Sequence, residues 1–171
     1  MISVFVGTQD KPFFRLIDYI IKAKKDGYLK NEEVLIQTGQ TKYNFDSSIL
    51  KNYNIKIFDF KKEEEIEEII KKSNYIISHS GVGLLMNAIK LGKKVIIVPR
   101  LKKYKEHVND HQIQIAENFE KEEYGIVVKD YTEFINALND INSFKQKEYK
   151  SNNENFCNKL DKLIIELVNK K

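Results

Sequence analysis

Short apolar runs alternate with longer segments whose apolar residues recur every three or four positions. Ile2–Val6 is the first run, closed by Gly7, and Phe13–Lys25 follows with Phe13, Leu16, Ile17, Ile20 and Ile21 forming a helical stripe. Val34–Gln37 and Ile55–Phe60 are predicted strands, and the polar stretch Thr38–Ser48 between them reads as a loop. Lys61–Lys72 sets Ile66, Ile69 and Ile70 among alternating charges. Glu67/Lys71 and Glu68/Lys72 have the i,i+4 spacing of a solvated helix face, and this run is assigned no function. Tyr75–Ser78 and Lys94–Val98, the most apolar short runs, flank a helical segment, Leu84–Leu91, stopped by Gly92. After a loop at Pro99–His107 the pattern predicts a helix near Val108–Glu120, a strand at Gly125–Val128 and a short helix from Tyr131. A long final helix is predicted over roughly Phe144–Asn169, with Phe156, Leu160, Leu163, Ile164 and Leu167 along one face.

Continuous apolar strands alternating with amphipathic helices predict an α/β fold, an open Rossmann-like parallel sheet with helices on both faces. Residues 1–142 would form this domain and 143–171 a C-terminal helix, packed on it or docking a partner. In such sheets ligands bind beyond the carboxyl ends of the strands, so the residues after Val6, Gln37, Ser78 and Val98 are the site candidates.

Composition narrows the class. With 171 residues and 42% hydrophobic content, the chain is expected to be one folded domain. No apolar stretch approaches the ~20 residues that span a bilayer, and Met1 runs straight into a strand, so neither a membrane span nor a signal peptide is expected. A single cysteine, Cys157, offers no internal disulfide and fits a reducing, cytoplasmic compartment. The formal net charge of +4 comes from mixed signs along the chain, and no aromatic-basic motif or one-faced basic stripe marks a nucleic-acid binder.

The chemistry is concentrated in the loops. His79-Ser80-Gly81-Val82-Gly83 lies between a strand and a helix start, where unpaired N–H groups favour an anion such as phosphate. Met86 replaces the third glycine of a dinucleotide fingerprint, and Gly92-Lys93-Lys94 lacks the rest of a P-loop. On its own the element reads better as a tight turn packing helix on sheet. Gly7-Thr8-Gln9 suits ligand contact, domain contact or an ordinary turn. Pro99-Arg100-Leu101 leads into Lys102, Lys103 and Lys105, a basic loop able to meet a diphosphate or an anionic membrane, or simply to be solvated. His107, Asp110, His111 and Gln112 crowd the next helix start. His107 and His111 lack a third placed zinc ligand, so hydrogen bonds to a sugar are the preferred reading, and no metal or cofactor is assigned.

Together, Gly7-Thr8-Gln9, His79-Ser80-Gly81-Val82-Gly83 and the stretch from Pro99-Arg100-Leu101-Lys102-Lys103 into Glu106-His107-Val108-Asn109-Asp110-His111-Gln112 resemble the family 28 glycosyltransferase C-terminal domain. More narrowly, the chain resembles the small soluble subunit of split bacterial exopolysaccharide and capsule glycosyltransferases. It is also similar to the catalytic subunit of the eukaryotic two-part N-acetylglucosaminyltransferase that builds dolichol-linked oligosaccharide. The resemblance spans about Met1 to Asp130 and implies one half of a GT-B enzyme. This half would bind a UDP-sugar, and a membrane-anchored partner subunit would bind a polyprenyl-diphosphate-linked saccharide acceptor. It would hold the chain at the inner face of the plasma membrane.

By the same resemblance Ser80–Gly83 would hold the UDP diphosphate, with Gly7, Thr8, His79, Arg100 and His107 around the donor. Asn87 stands where the family usually has a ribose-binding glutamate. His111 and Gln112, preceded by Asp110, align with residues that contact the donor sugar and are the catalytic candidates. The implied reaction is inverting and metal-independent, with a base that commonly sits on the acceptor-binding half; none of His79, His107 and His111 stands out as that base. The alternative is a non-catalytic stimulatory or binding subunit of such an enzyme, a reading that Asn87 favours.

Overall fold

The computed structural model describes residues 1–151, 157–162 and 164–165. Six strands, β1 (Ile2–Phe5), β2 (Val34–Gln37), β3 (Ile55–Phe58), β4 (Ile76–Ser78), β5 (Val95–Ile97) and β6 (Ile126–Val127), form one sheet in the order β3-β2-β1-β4-β5-β6. All pairings are parallel, as the near-continuous apolar runs require. The helices are α1 (Phe14–Lys25), α2 (Ser47–Asn52), α3 (Glu63–Lys72), α4 (Val82–Lys90), α5 (His111–Lys121) and α6 (Tyr131–Asp140).

Period-two alternation within the strands builds a core on each face. Ile2, Val4, Ile36, Ile77 and Ile96 pack with Leu16, Ile20 and Phe134 on the α1 and α6 side. Phe5, Ile76, Val95 and Ile97 face the other way, onto Ile70, Leu85, Ala88 and Phe119 of α3, α4 and α5. The Rossmann-like expectation is met. Strand order reverses between β1 and β4, whose register pairs Phe5 with Ser78. A crevice opens outside the carboxyl ends at such a switch point.

Several boundaries differ from the sequence reading. Only the last two residues of the loop at 38–48 are helical: Asp46 accepts the Ser48 N–H and caps α2, which runs on to Asn52. The fifth helix begins at His111 rather than Val108: Asn109 Oδ1 takes the His111 N–H, and Val108 is exposed in the preceding turn. The largest correction concerns the final helix, which does not begin at Phe144. Residues 144–151 are irregular, and tertiary contacts hold them in that form. Gln146 Nε2 donates to Lys93 O, Lys147 N–H donates to Glu123 O, and the Tyr149 ring packs 6.2 Å from Tyr124. This strap runs along the amino edge of the sheet, opposite the crevice. Helical backbone reappears at 157–162 and 164–165. Leu160, Ile164 and Ile165 are exposed there, whereas Phe156, Leu163 and Leu167 of the expected stripe lie outside the described residues.

Candidate functional site

Three loops meet at the switch point. Gly7 follows β1 with φ +92°, a left-handed conformation that favours glycine. His79 follows β4 and is held beneath it: its N–H donates to Phe5 O, and its Nδ1 lies 3.4 Å from the same oxygen. The imidazole fills the space that side chains at Gly7 and Gly81 would need. A Cβ at Gly7 would stand 2.7 Å from its ring, and one at Gly81 would stand 2.4 Å from Nε2. Gly39 of the β2–α2 loop extends the stack, since a Cβ there would strike Gly7 O. Burial, reinforced by the positive charge of Arg100, pushes the His79 pKa down to about 4, so the ring is neutral at pH 7.

Gly83 is different. Among the described residues a Cβ there would meet nothing within 4 Å, although the residue sits in the first turn of α4, where glycine weakens a helix. The N-cap residue Gly81 supplies no side-chain acceptor, in contrast to Asp130, which caps α6 through the Glu133 N–H. The first N–H groups of α4 therefore point past an open backbone with no side-chain cap. Beside them the Ser80 hydroxyl is 1% exposed and lacks a hydrogen-bond partner. Uncapped donors, the positive end of the helix dipole and a buried spare hydroxyl make a receptor for an anion.

The loop after β5 is built by a buried polar network. Arg100 is fully buried and gives its guanidinium to Lys11 O, Glu106 O and Val6 O, so it braces the β1–α1 loop against the β5–α5 loop. Burial draws its pKa down to about 10, which leaves it charged at pH 7. Gln112 is also buried, and its Oε1 accepts the Arg100 N–H at 3.0 Å, leaving only its amide nitrogen for other contacts. Arg15 of α1 grips Glu106 with two hydrogen bonds of 2.9 and 2.8 Å and donates to Pro99 O. Sequence reasoning missed Arg15 and passed over Glu106 because a pair 91 positions apart leaves no spacing signal.

The remaining candidates are divided among three places. Thr8 is exposed on the crevice rim, and Gln9 Nε2 lies 3.3 Å from His107 Nε2 where the first and fifth loops meet. Asp110 accepts the Lys102 N–H and lines a cavity of about 230 Å³ with Pro99, Leu101 and Ile113. His111 is exposed at the start of α5, its Nδ1 3.3 Å from Gln114 Oε1. Asn87 lies on the opposite side, in a groove of about 580 Å³ between α4 and α3 that Val82 and Gly83 also line. The helix start of α4 thus separates the groove holding Asn87 from the loop holding Arg100, Asp110, His111 and Gln112. Among the described residues no three His, Cys, Asp or Glu side chains converge on a metal position.

Comparison with known proteins places this arrangement. UDP-N-acetylglucosamine transferase subunit ALG13 of Candida albicans is 30% identical over 118 residues, covering 68% of this chain and 36% of that protein. The UDP-N-acetylglucosamine--N-acetylmuramyl-(pentapeptide) pyrophosphoryl-undecaprenol N-acetylglucosamine transferase of Clostridium botulinum is 28% identical over 160 residues, 90% of this chain and 42% of that protein. The chain spans less than half the length of these curated relatives. The solution structure of ALG13 superposes with a TM-score of 0.57 at 20% identity over 88% of each chain. The crystal structure of the glycosyltransferase SnogD from Streptomyces nogalater gives 0.52 at 14% identity, covering 86% of this chain and 39% of that one. Both share the fold. Residues 1–167 match the glycosyltransferase family 28 C-terminal domain, and the chain belongs to that family.

Proposed function

We propose that the chain is the donor-binding catalytic subunit of a two-component inverting glycosyltransferase. It would transfer a hexose from a UDP-sugar to a polyprenyl-diphosphate-linked saccharide, together with a membrane-anchored partner that binds the acceptor. The observation that carries this reading is the start of α4: an uncapped first turn, an open Gly83 and the buried, unpartnered Ser80 hydroxyl. The diphosphate would accept these N–H groups and the Ser80 O–H. When the partner's base removes the proton from the acceptor hydroxyl, that oxygen attacks the anomeric carbon. The bond to UDP then breaks, and the helix dipole stabilises the charge that collects on the departing diphosphate.

His79 would hold the Gly7 and Gly81 loops at a fixed spacing beside the diphosphate. Arg100 and Gln112 would act mainly by setting the β5–α5 loop, since Arg100 donates to three backbone carbonyls and Gln112 Oε1 accepts the Arg100 N–H. Asp110, His111, Thr8 and His107 would reach the sugar from the rim. The names of both curated relatives contain UDP-N-acetylglucosamine, which favours that donor among the UDP-hexoses. The bacterial relative's name also contains a pyrophosphoryl-undecaprenol acceptor, which supports a lipid-diphosphate acceptor class. Exopolysaccharide or capsule assembly is the proposed setting, at the cytoplasmic face of the membrane through the partner; this part rests on the resemblance of the loops alone. Among the described residues no helix is long and apolar enough to cross a membrane. A radiolabelled sugar-transfer assay with and without the partner tests the proposal. Transfer that needs both chains and falls with Gly81→Asp supports it; transfer by the partner alone at the full rate defeats it.

The stimulatory-subunit reading has two observations behind it. Asn87 carries no charge, and Gln112 turns its carbonyl inward to Arg100. Partner-only transfer accelerated by the chain without UDP binding to it would select that reading.

A further inference from the structure

We propose that a carboxylate on α3, Glu67, recognises the ribose diol of the nucleotide in place of the amide at Asn87. This deepens the diphosphate assignment above and rests on it. A ribose 2′,3′-diol offers two O–H donors, and the strongest acceptor for both is an ionised carboxylate. Asn87 offers one neutral carbonyl oxygen. The groove it lines has a second wall, formed by Glu63, Ile66 and Glu67 of α3, facing Val82, Gly83 and Asn87 of α4.

The glutamates of α3 divide by face. Glu64, Glu65 and Glu68 line a different groove, on the side of Lys61 and Lys72, so only Glu63 and Glu67 look toward α4. Both helices follow parallel strands and therefore start at the carboxyl edge of the sheet. Counting from their first residues, Glu63 is level with Val82 and Glu67 with Met86, the residue before Asn87. A diphosphate on the first turn of α4 would repel a carboxylate level with it, which disfavours Glu63. Glu67 lies one helical turn farther along, about 6 Å by helix rise, where the sugar ring attached to the phosphate would lie.

Two features free Glu67 for this role. Its present partner, Lys71, sits 2.7 Å away in an exposed pair of small energetic weight, and Lys71 also pairs with Glu68 at 3.2 Å. Turning Glu67 toward a ligand would leave Lys71 with a partner. Gly83 keeps the groove open between the helix start and Asn87, with no described residue within 4 Å of its missing side chain. The charge run of α3, which the sequence pattern alone marks as a solvated face, would then hold one residue that selects ribonucleotides.

The test is calorimetry of the chain with UDP and with 2′-deoxy-UDP. The wild type is expected to prefer UDP by roughly tenfold, the scale of one charge-assisted hydrogen bond in an open groove. Glu67→Gln should bring the two affinities together, while Asn87→Ala and Glu63→Gln retain most of the preference. A wild type that binds both nucleotides equally, or a preference that survives Glu67→Gln, overturns the role of Glu67 and leaves the diphosphate site standing. Failure of the wild type to bind UDP at all removes both.

Discussion

Gly81 and Gly83 are glycines for opposite reasons. Gly81 has no room for a side chain, because the His79 ring occupies it, and Gly83 has room that no described residue uses. Gly83→Ala should therefore raise stability by about 1 kcal/mol through helix propensity while weakening UDP binding. Chemical denaturation and calorimetry on the same sample separate the two effects; a variant that is stabilised and binds UDP as well as wild type places the diphosphate elsewhere. Gly81→Ala should instead lose stability, since the imidazole must move.

His79 also makes a pH prediction. Its folded pKa of about 4 lies below the reference value of 6.5, so the unfolded chain binds this proton first. Stability owed to the neutral ring is complete above pH 6.5 and declines as pH falls toward 4, by about 3 kcal/mol in total. His79→Gln should flatten that part of the stability profile; an imidazole that titrates near 6.5 by NMR contradicts its placement between Gly7 and Gly81.

At the level of elements, the β5–α5 loop depends on its network more than on helix propensity. The Arg15–Glu106 pair is buried, with side-chain exposures of 12% and 3%. Removing one partner strands the other charge, so Glu106→Ala should cost about 3 kcal/mol and release the Leu101 N–H. The double variant Arg15→Leu with Glu106→Leu should cost less than the sum of the singles in a double-mutant cycle. Hydrophobic periodicity located α1, α3 and α4 to within a few residues because each buries one stripe. It placed the start of α5 too early because the turn at Asn109, whose side chain takes the His111 N–H, and not the apolar pattern, decides where that helix begins. Glycine spacing pointed to the α4 start, yet only the structure distinguishes a glycine that clears space for His79 from one that leaves space for a ligand. The commitment of Arg100 to three carbonyl oxygens was equally illegible, as those oxygens come from three separate segments of the chain.

At the scale of the whole molecule, the apolar runs identified a parallel sheet covered on both faces, but strand order leaves no mark in a hydrophobic pattern. The order β3-β2-β1-β4-β5-β6 is what brings residues 7 and 79 together. The C-terminal segment shows the limit of periodicity most clearly. Residues 144–151 have a helix-compatible composition, but their side chains find better partners as a strap along the opposite edge. Beyond the strap, exposed Leu160 and Ile164 are proposed to dock the membrane-anchored partner. Leu160→Asp with Ile164→Asp should leave stability within about 0.5 kcal/mol, retain UDP binding and abolish co-purification with that partner. Unfolding of the double variant would show that the helix belongs to the core.

The proposed function requires α4 to receive the diphosphate of a UDP-sugar without a divalent ion. The most direct measurement is a ¹H–¹⁵N NMR titration of the chain with UDP in the presence of a chelator. The backbone amides of Ser80, Gly81, Val82 and Gly83 are expected to shift most and saturate together, with Asn87 following along the groove. Saturating UDP that leaves these amides unmoved, or moves them only after magnesium is added, would contradict the proposed function.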